Sequence, residues 1–148
     1  MEEALKEARA CIPQGDVPVG CVIVSPEGDI IGRGRNRREA DGLATAHAEV
    51  EAINMACAAV GSWRLTGCTL YVTLEPCPMC AGAILNARIS RVWYGARDSA
   101  FGACGGVVNL FMEDFPHPPA LVGGILGDAC RAVLTDFFQA LRGGEAGP

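Results

Sequence analysis

Thr69-Leu70-Tyr71-Val72-Thr73-Leu74-Glu75-Pro76-Cys77-Pro78-Met79-Cys80 decides how this chain is read. Its first half is rich in β-branched and aromatic residues, as in a strand. A proline then interrupts the ladder, and a second proline stands where a helix can begin. A helix opening near Cys77 puts Cys77 and Cys80 on one face. Its unpaired amides and positive dipole end favour thiolate over thiol. The helix runs to about Ala87, and Ile89–Tyr94 reads as the next strand. Strand, helix and strand within so short a span make a βαβ unit with parallel strands, and ligands bind at the carboxyl ends of such strands, where Cys77 falls.

Two thiols at this spacing need a third ligand if they hold a metal. His47, in Thr45-Ala46-His47-Ala48-Glu49, is the candidate. From Ala46 onward, small or apolar residues recur at Val50, Ile53, Cys57 and Val60, a helical stripe that Gly61 stops, so His47 and Glu49 are expected in a first helical turn. H-x-E followed by P-C-x-x-C is the signature of the zinc-dependent nucleobase deaminases. Zinc bound by one imidazole and two thiolates keeps a fourth position for water and lowers its pKa from about 15.7 to roughly 7. Glu49, a carboxylate beside the ligand His47, is placed to carry that water's proton. A C-x-x-C alone also suits a dithiol redox pair or half of a structural zinc site. The upstream H-A-E, and the lack of another short-range Cys/His pair to close a structural site, weigh against both.

Outward from these motifs, residues 2–12 show helical spacing at Leu5, Ala8 and Ile12. Val19–Ser25 and Ile30–Gly34 read as a hairpin around Ser25-Pro26-Glu27-Gly28, with proline second and glycine fourth as in a type I turn. Gly102–Gly106 suits a loop that approaches something closely. Val107–Met112 reads as a short helix, Phe115–Pro119 as irregular and Leu121–Leu126 as a last strand. A final helix follows Asp128 with a stripe at Ala129, Val133, Phe137 and Leu141, ended by Gly143-Gly144.

At 148 residues the chain reads as one domain, 1–148, with a flexible tail at 143–148. It has eight cysteines, but Glu2-Glu3-Ala4-Leu5-Lys6-Glu7 is an acidic helix start without an apolar signal region, so a reduced, cytoplasmic setting is expected. No apolar run approaches the roughly eighteen residues of a membrane span. The net charge of −5 argues against generic affinity for polyanions. Local charge runs the other way: Arg33, Arg35, Arg37 and Arg38 are four of only twelve basic side chains. They suit either a solvated strand end or phosphate contacts.

Val17-Pro18-Val19-Gly20, Gly34-Arg35-Asn36-Arg37, Thr45–Glu49, Thr69–Ala83, Gly95-Ala96-Arg97-Asp98 and Asp136-Phe137-Phe138 together resemble the bacterial tRNA adenosine deaminase family, within the cytidine-deaminase-like superfamily. The resemblance implies a three-layer α/β/α sandwich on a mixed five-stranded sheet, one Zn2+ per chain at His47, Cys77 and Cys80, and Glu49 as the catalytic residue. It also implies a homodimer and hydrolysis of the wobble adenosine of a tRNA anticodon stem-loop to inosine. Asn36, Ala48 and Leu74 are the implied base-binding positions, and Arg33, Arg37 and Arg38 the candidate RNA contacts. Departures from the family stand at Leu43-Ala44, Pro116-His117 and the non-basic tail from Gly143. The competing readings are a deaminase of a free base or nucleoside, of guanine or cytosine type, and a non-catalytic zinc or dithiol module.

Overall fold

The computed structural model describes residues 1–145. Strand β3 (Thr69–Leu74) runs into helix α4 (Pro78–Ala87) and back along β4 (Arg91–Ala96), which pairs parallel with β3. Before it come α1 (Glu2–Arg9), the antiparallel hairpin β1 (Gly20–Val24) and β2 (Ile30–Arg35), a short α2 (Arg38–Asp41) and α3 (Ala48–Val60). After it come β5 (Ala120–Val122), parallel to β4, and α5 (Gly127–Glu145). The sheet order is β2-β1-β3-β4-β5, with β1 also antiparallel to β3. This is the mixed five-stranded sheet expected. Helices α3 and α4 pack with Cys21, Ile23, Leu70, Val72 and Val92 into one buried cluster. On the other face, Leu5 of α1 and Cys130 of α5 pack with Ala96. The outcome is three layers.

The largest correction concerns α3. Its buried face is Ala48, Glu49, Ala52, Ile53 and Ala56, whereas Val60 is 47% exposed and Val50 and Cys57 are only half-buried. The reason lies in β2. A Cβ on Gly32 or Gly34 would overlap the carbonyl oxygens of Ala52 and Ala48 respectively, so helix backbone lies directly on strand backbone. Only small side chains fit between them, and a larger apolar stripe on that helix must turn away. This contact also fixes the height of residues 47–49 above the sheet.

Other boundaries move for local reasons. Helix α1 stops at Arg9, and Ile12 belongs to a 3-10 turn through Gln14, because Pro13 has no N–H to donate to the Arg9 carbonyl and Gly15 then turns left-handed with φ 76°. Strand β4 begins two residues later than expected, with buried Ile89 in the turn after α4. Only Leu110–Met112 of the expected 107–112 helix is helical, as a 3-10 turn. The last strand is the three residues of β5. Helix α5 buries Cys130 and Phe137, while Ala129 and Leu141 are exposed. It continues through Gly143 and Gly144 to Glu145, so neither glycine ends it and the tail is helical that far; residues 146–148 lie outside the described residues.

Candidate metal centre and active-site cleft

His47 and Cys77 occupy equivalent places. Each is the extended residue just before a helix: His47 before α3 with φ −90° and ψ 152°, Cys77 before α4 with φ −75° and ψ 173°. His47 therefore sits one position ahead of the helical turn expected for it. Each carbonyl accepts an early helical bond, Glu51 N to His47 O at 3.1 Å and Ala81 N to Cys77 O at 2.9 Å. Pro78 opens α4, where a missing N–H costs nothing, and Cys80 follows in the same turn. Two helix N-termini thus converge, and their dipoles favour negative charge there.

His47 Nδ1 lies 3.6 Å from Cys77 Sγ and 3.5 Å from Cys80 Sγ, and the three donor atoms fall within 4.8 Å of one another. Cys80 is fully buried, and His47 and Cys77 are half-buried. The Cys77 thiol is pulled down to about 4, first by the hydrogen bond from Cys80 and then by the His47 ring. Cys80 is pushed up by the same bond and by burial, so the pair shares one negative charge. One imidazole and two thiols, one of them already anionic, fit a zinc ion in type and number. Among the described residues no fourth His, Cys, Asp or Glu joins the group, so the donor set leaves a coordination position open, as catalytic zinc sites do.

Glu49 is 4% exposed beside this cluster. Burial pushes its carboxyl up to about 7, against the lowering effect of Cys80 and His47. A carboxyl held there exchanges a proton near neutral pH. All three chemistries open onto one cleft of about 820 Å³, large enough for a nucleobase with its ribose.

The base-binding candidates Asn36, Ala48 and Leu74 all line this cleft. Asn36 is buried and oriented: its Nδ2 donates to Val17 O at 3.1 Å and its Oδ1 accepts from Arg38 N at 3.2 Å. One hydrogen and one lone pair remain for a ligand. Of the candidate RNA contacts, Arg38 lines the cleft. Arg33 does not: its guanidinium pairs with Glu3 at 2.9 Å and Glu7 at 3.7 Å on α1. Arg37 pairs with Asp41 at 3.0 Å and Glu51 at 3.5 Å. Arg33 thus ties β2 to α1, and Arg37 ties the start of α2 to its own end and to α3. Asp16, fully buried, accepts from Glu39 N and Ala40 N at 2.7 and 3.1 Å and pins α2 from across the chain.

Several cleft residues are given no role by the sequence alone: Met79, Asp98, Phe101 and Phe138 at its mouth, and Glu75 beneath; Arg97 also lines it, whereas Arg88 and Arg91, the other arginines flanking the α4 motif, do not. The available signal was Glu75 itself, a carboxylate between a buried strand and the first cysteine, together with the unexplained glycines of 102–106.

The family described as the cytidine and deoxycytidylate deaminase zinc-binding region matches residues 1–96, which contain His47, Glu49, Cys77 and Cys80. The chain belongs to this deaminase family. It is 48% identical over 143 residues to the tRNA-specific adenosine deaminase of Bacillus subtilis (strain 168), covering 96% of this chain and 88% of that protein. Among solved structures, a chain from studies of A-to-I editing by tRNA:A34 deaminases matches with a TM-score of 0.87 at 44% identity, over 90% of this chain and 97% of that one. A guanine deaminase from Bacillus subtilis matches with a TM-score of 0.63 at 40% identity, over 75% of this chain and 70% of that one. The fold is therefore shared with enzymes of two substrate classes.

Proposed function

We propose that this protein hydrolytically deaminates adenosine to inosine at the wobble position of a tRNA anticodon loop. The observation that carries the reading is the convergence of His47, Cys77 and Cys80 beside buried Glu49 at the floor of one cleft, in a chain nearly half identical to a tRNA-specific adenosine deaminase. His47 Nδ1, Cys77 Sγ and Cys80 Sγ would hold a zinc ion, which would supply Lewis-acid activation of a water molecule. Glu49 takes a proton from that water as its oxygen bonds to C6 of the base, and delivers it to the ring nitrogen N1. It then carries the remaining hydroxyl proton to the amine, so that the C6–N bond breaks, C6=O forms and ammonia leaves. Ala48 and Leu74 wall the base, and the free hydrogen and lone pair of Asn36 bond its edge.

An unpaired loop nucleotide is already unstacked and costs little to extrude, so an anticodon loop suits a recessed cleft. Arg38 and Arg97 at the mouth supply the cations for flanking phosphates. The chain works as a single catalytic domain and, as its family resemblance implies, as a homodimer. None of its eight cysteines is in a disulfide, which fits the reducing cytoplasm. No described helix is long and apolar enough to cross a membrane.

The likeness to a guanine deaminase supports a second reading, deamination of a free base by the same chemistry. A wobble-adenosine stem-loop incubated with the zinc-loaded protein and digested to nucleosides should yield inosine by mass spectrometry with wild type and none with Glu49→Ala. No inosine from wild type would move the assignment to the free-base reading.

A further inference from the structure

Glu75 is 2% exposed and takes no part in the reaction outlined above, yet it is a carboxylate buried next to the first cysteine ligand. Among the described residues no cation pairs with it. Its partners are backbone amides of one loop: Oε1 accepts from Asp98 N at 3.2 Å, and Oε2 accepts from Cys104 N at 3.1 Å and Gly106 N at 2.8 Å. Charge-assisted bonds of this kind offset the cost of burying an anion, and three together make a tight clamp. The glycines are part of it. A Cβ on Gly102 or Gly106 would overlap the Asp98 carbonyl oxygen and press on the Glu75 carboxylate.

The clamp continues outward. Asp98, whose own amide is held by Glu75, accepts at Oδ1 from Ala100 N at 2.9 Å and Phe101 N at 3.1 Å. Those bonds fix the backbone of Phe101, whose ring is 70% exposed at the mouth of the cleft. A phenyl group aimed into water at a substrate entrance, on a loop held this firmly, has no packing role in the described fold. Arg38 and Arg97 line the same cleft, and Arg97 Nη2 donates to Gly105 O of this loop at 3.0 Å. An exposed aromatic face beside cations is how proteins hold single-stranded nucleic acid, by stacking on a base while the charges meet phosphates.

We propose that Glu75 is a positioning residue which fixes the 98–106 loop so that Phe101 stacks on the nucleobase adjacent to the one deaminated. This rests on the RNA reading of the substrate. The test uses the zinc-loaded full chain and a wobble-adenosine stem-loop, with KM and kcat measured for wild type, Phe101→Ala, Glu75→Gln and the double variant. Phe101→Ala should raise KM roughly 5- to 150-fold, the worth of one base–aromatic stack, with kcat little changed, and Phe101→Trp should restore it. Glu75→Gln offers one carbonyl oxygen where three N–H groups converge, so at least one must face an amide donor. It should raise KM in the same direction, keep its zinc and speed hydrogen exchange of residues 98–106. Because Glu75 acts through Phe101, the double variant should be no worse than Phe101→Ala alone, whereas a merely structural Glu75 would add its own loss. If Glu75→Gln does not fold, Asp98→Ala replaces it in the same cycle. An unchanged KM for Phe101→Ala, or additive losses in the double variant, overturns the proposal while inosine formation by wild type keeps the functional reading standing. A wild type inactive on the stem-loop overturns both.

Discussion

The floor and the mouth of the cleft are built differently. The floor is four side chains on two helix starts, His47 and Glu49 on one, Cys77 and Cys80 on the other, each set by regular backbone packed on the sheet. The mouth is Arg38, Met79, Arg97, Phe101 and Phe138, all exposed and drawn from a short helix, a loop and two helix faces. Rigid burial at the floor tunes proton affinities, raising Glu49 to about 7 and lowering Cys77 to about 4. Exposure at the mouth turns those side chains toward solvent, where a partner can meet them. Chemistry and choice of substrate are thus separable here, and substitutions should split accordingly.

Metal removal is the most severe test of the floor. A chelator, or Cys80→Ser, should remove close to one zinc per chain by elemental analysis and abolish turnover, with activity returning on zinc addition to the chelated wild type. Full metal occupancy in Cys80→Ser would refute this ligand set. Glu49→Ala should keep the zinc and lower kcat by at least about 10²–10⁴-fold, the range of a lost general acid/base; survival of activity within tenfold would remove Glu49 from its role. Gly34→Ala tests the support beneath the floor, since a Cβ there overlaps the Ala48 carbonyl. It should cost about 1–3 kcal/mol in guanidinium unfolding, as overpacking does. The smallest effects belong to the mouth. Arg38→Glu should weaken stem-loop binding and reduce the slope of log K against log salt by about 1, with zinc content unchanged. Arg33→Glu, whose partners are Glu3 and Glu7, should leave that slope alone. Equal effects of the two would mean the cleft mouth is not where RNA binds.

The same division explains what was legible in the sequence. The spacing of Cys77 and Cys80, and of His47 and Glu49, is short-range, and a helix start converts it directly into geometry. The mixed sheet followed from one hairpin and one βαβ unit. The buried face of α3 was misread because Gly32 and Gly34, distant in sequence, select alanine rather than valine against the strand. The roles of Arg33 and Arg37 depend on acids in α1, α2 and α3, which no local pattern discloses. Glu75 was passed over for the same reason: its partners lie 23 to 31 residues away.

The most direct test is a competition in one vessel, in which the zinc-loaded wild type meets a wobble-adenosine stem-loop and free guanine at equal concentration, with inosine and ammonia followed together. Inosine in the RNA should accumulate at a much higher kcat/KM than xanthine forms from guanine, because exposed groups around the mouth bind only the larger substrate. Faster loss of ammonia from guanine than from the stem-loop would contradict the assignment and make this a free-base deaminase.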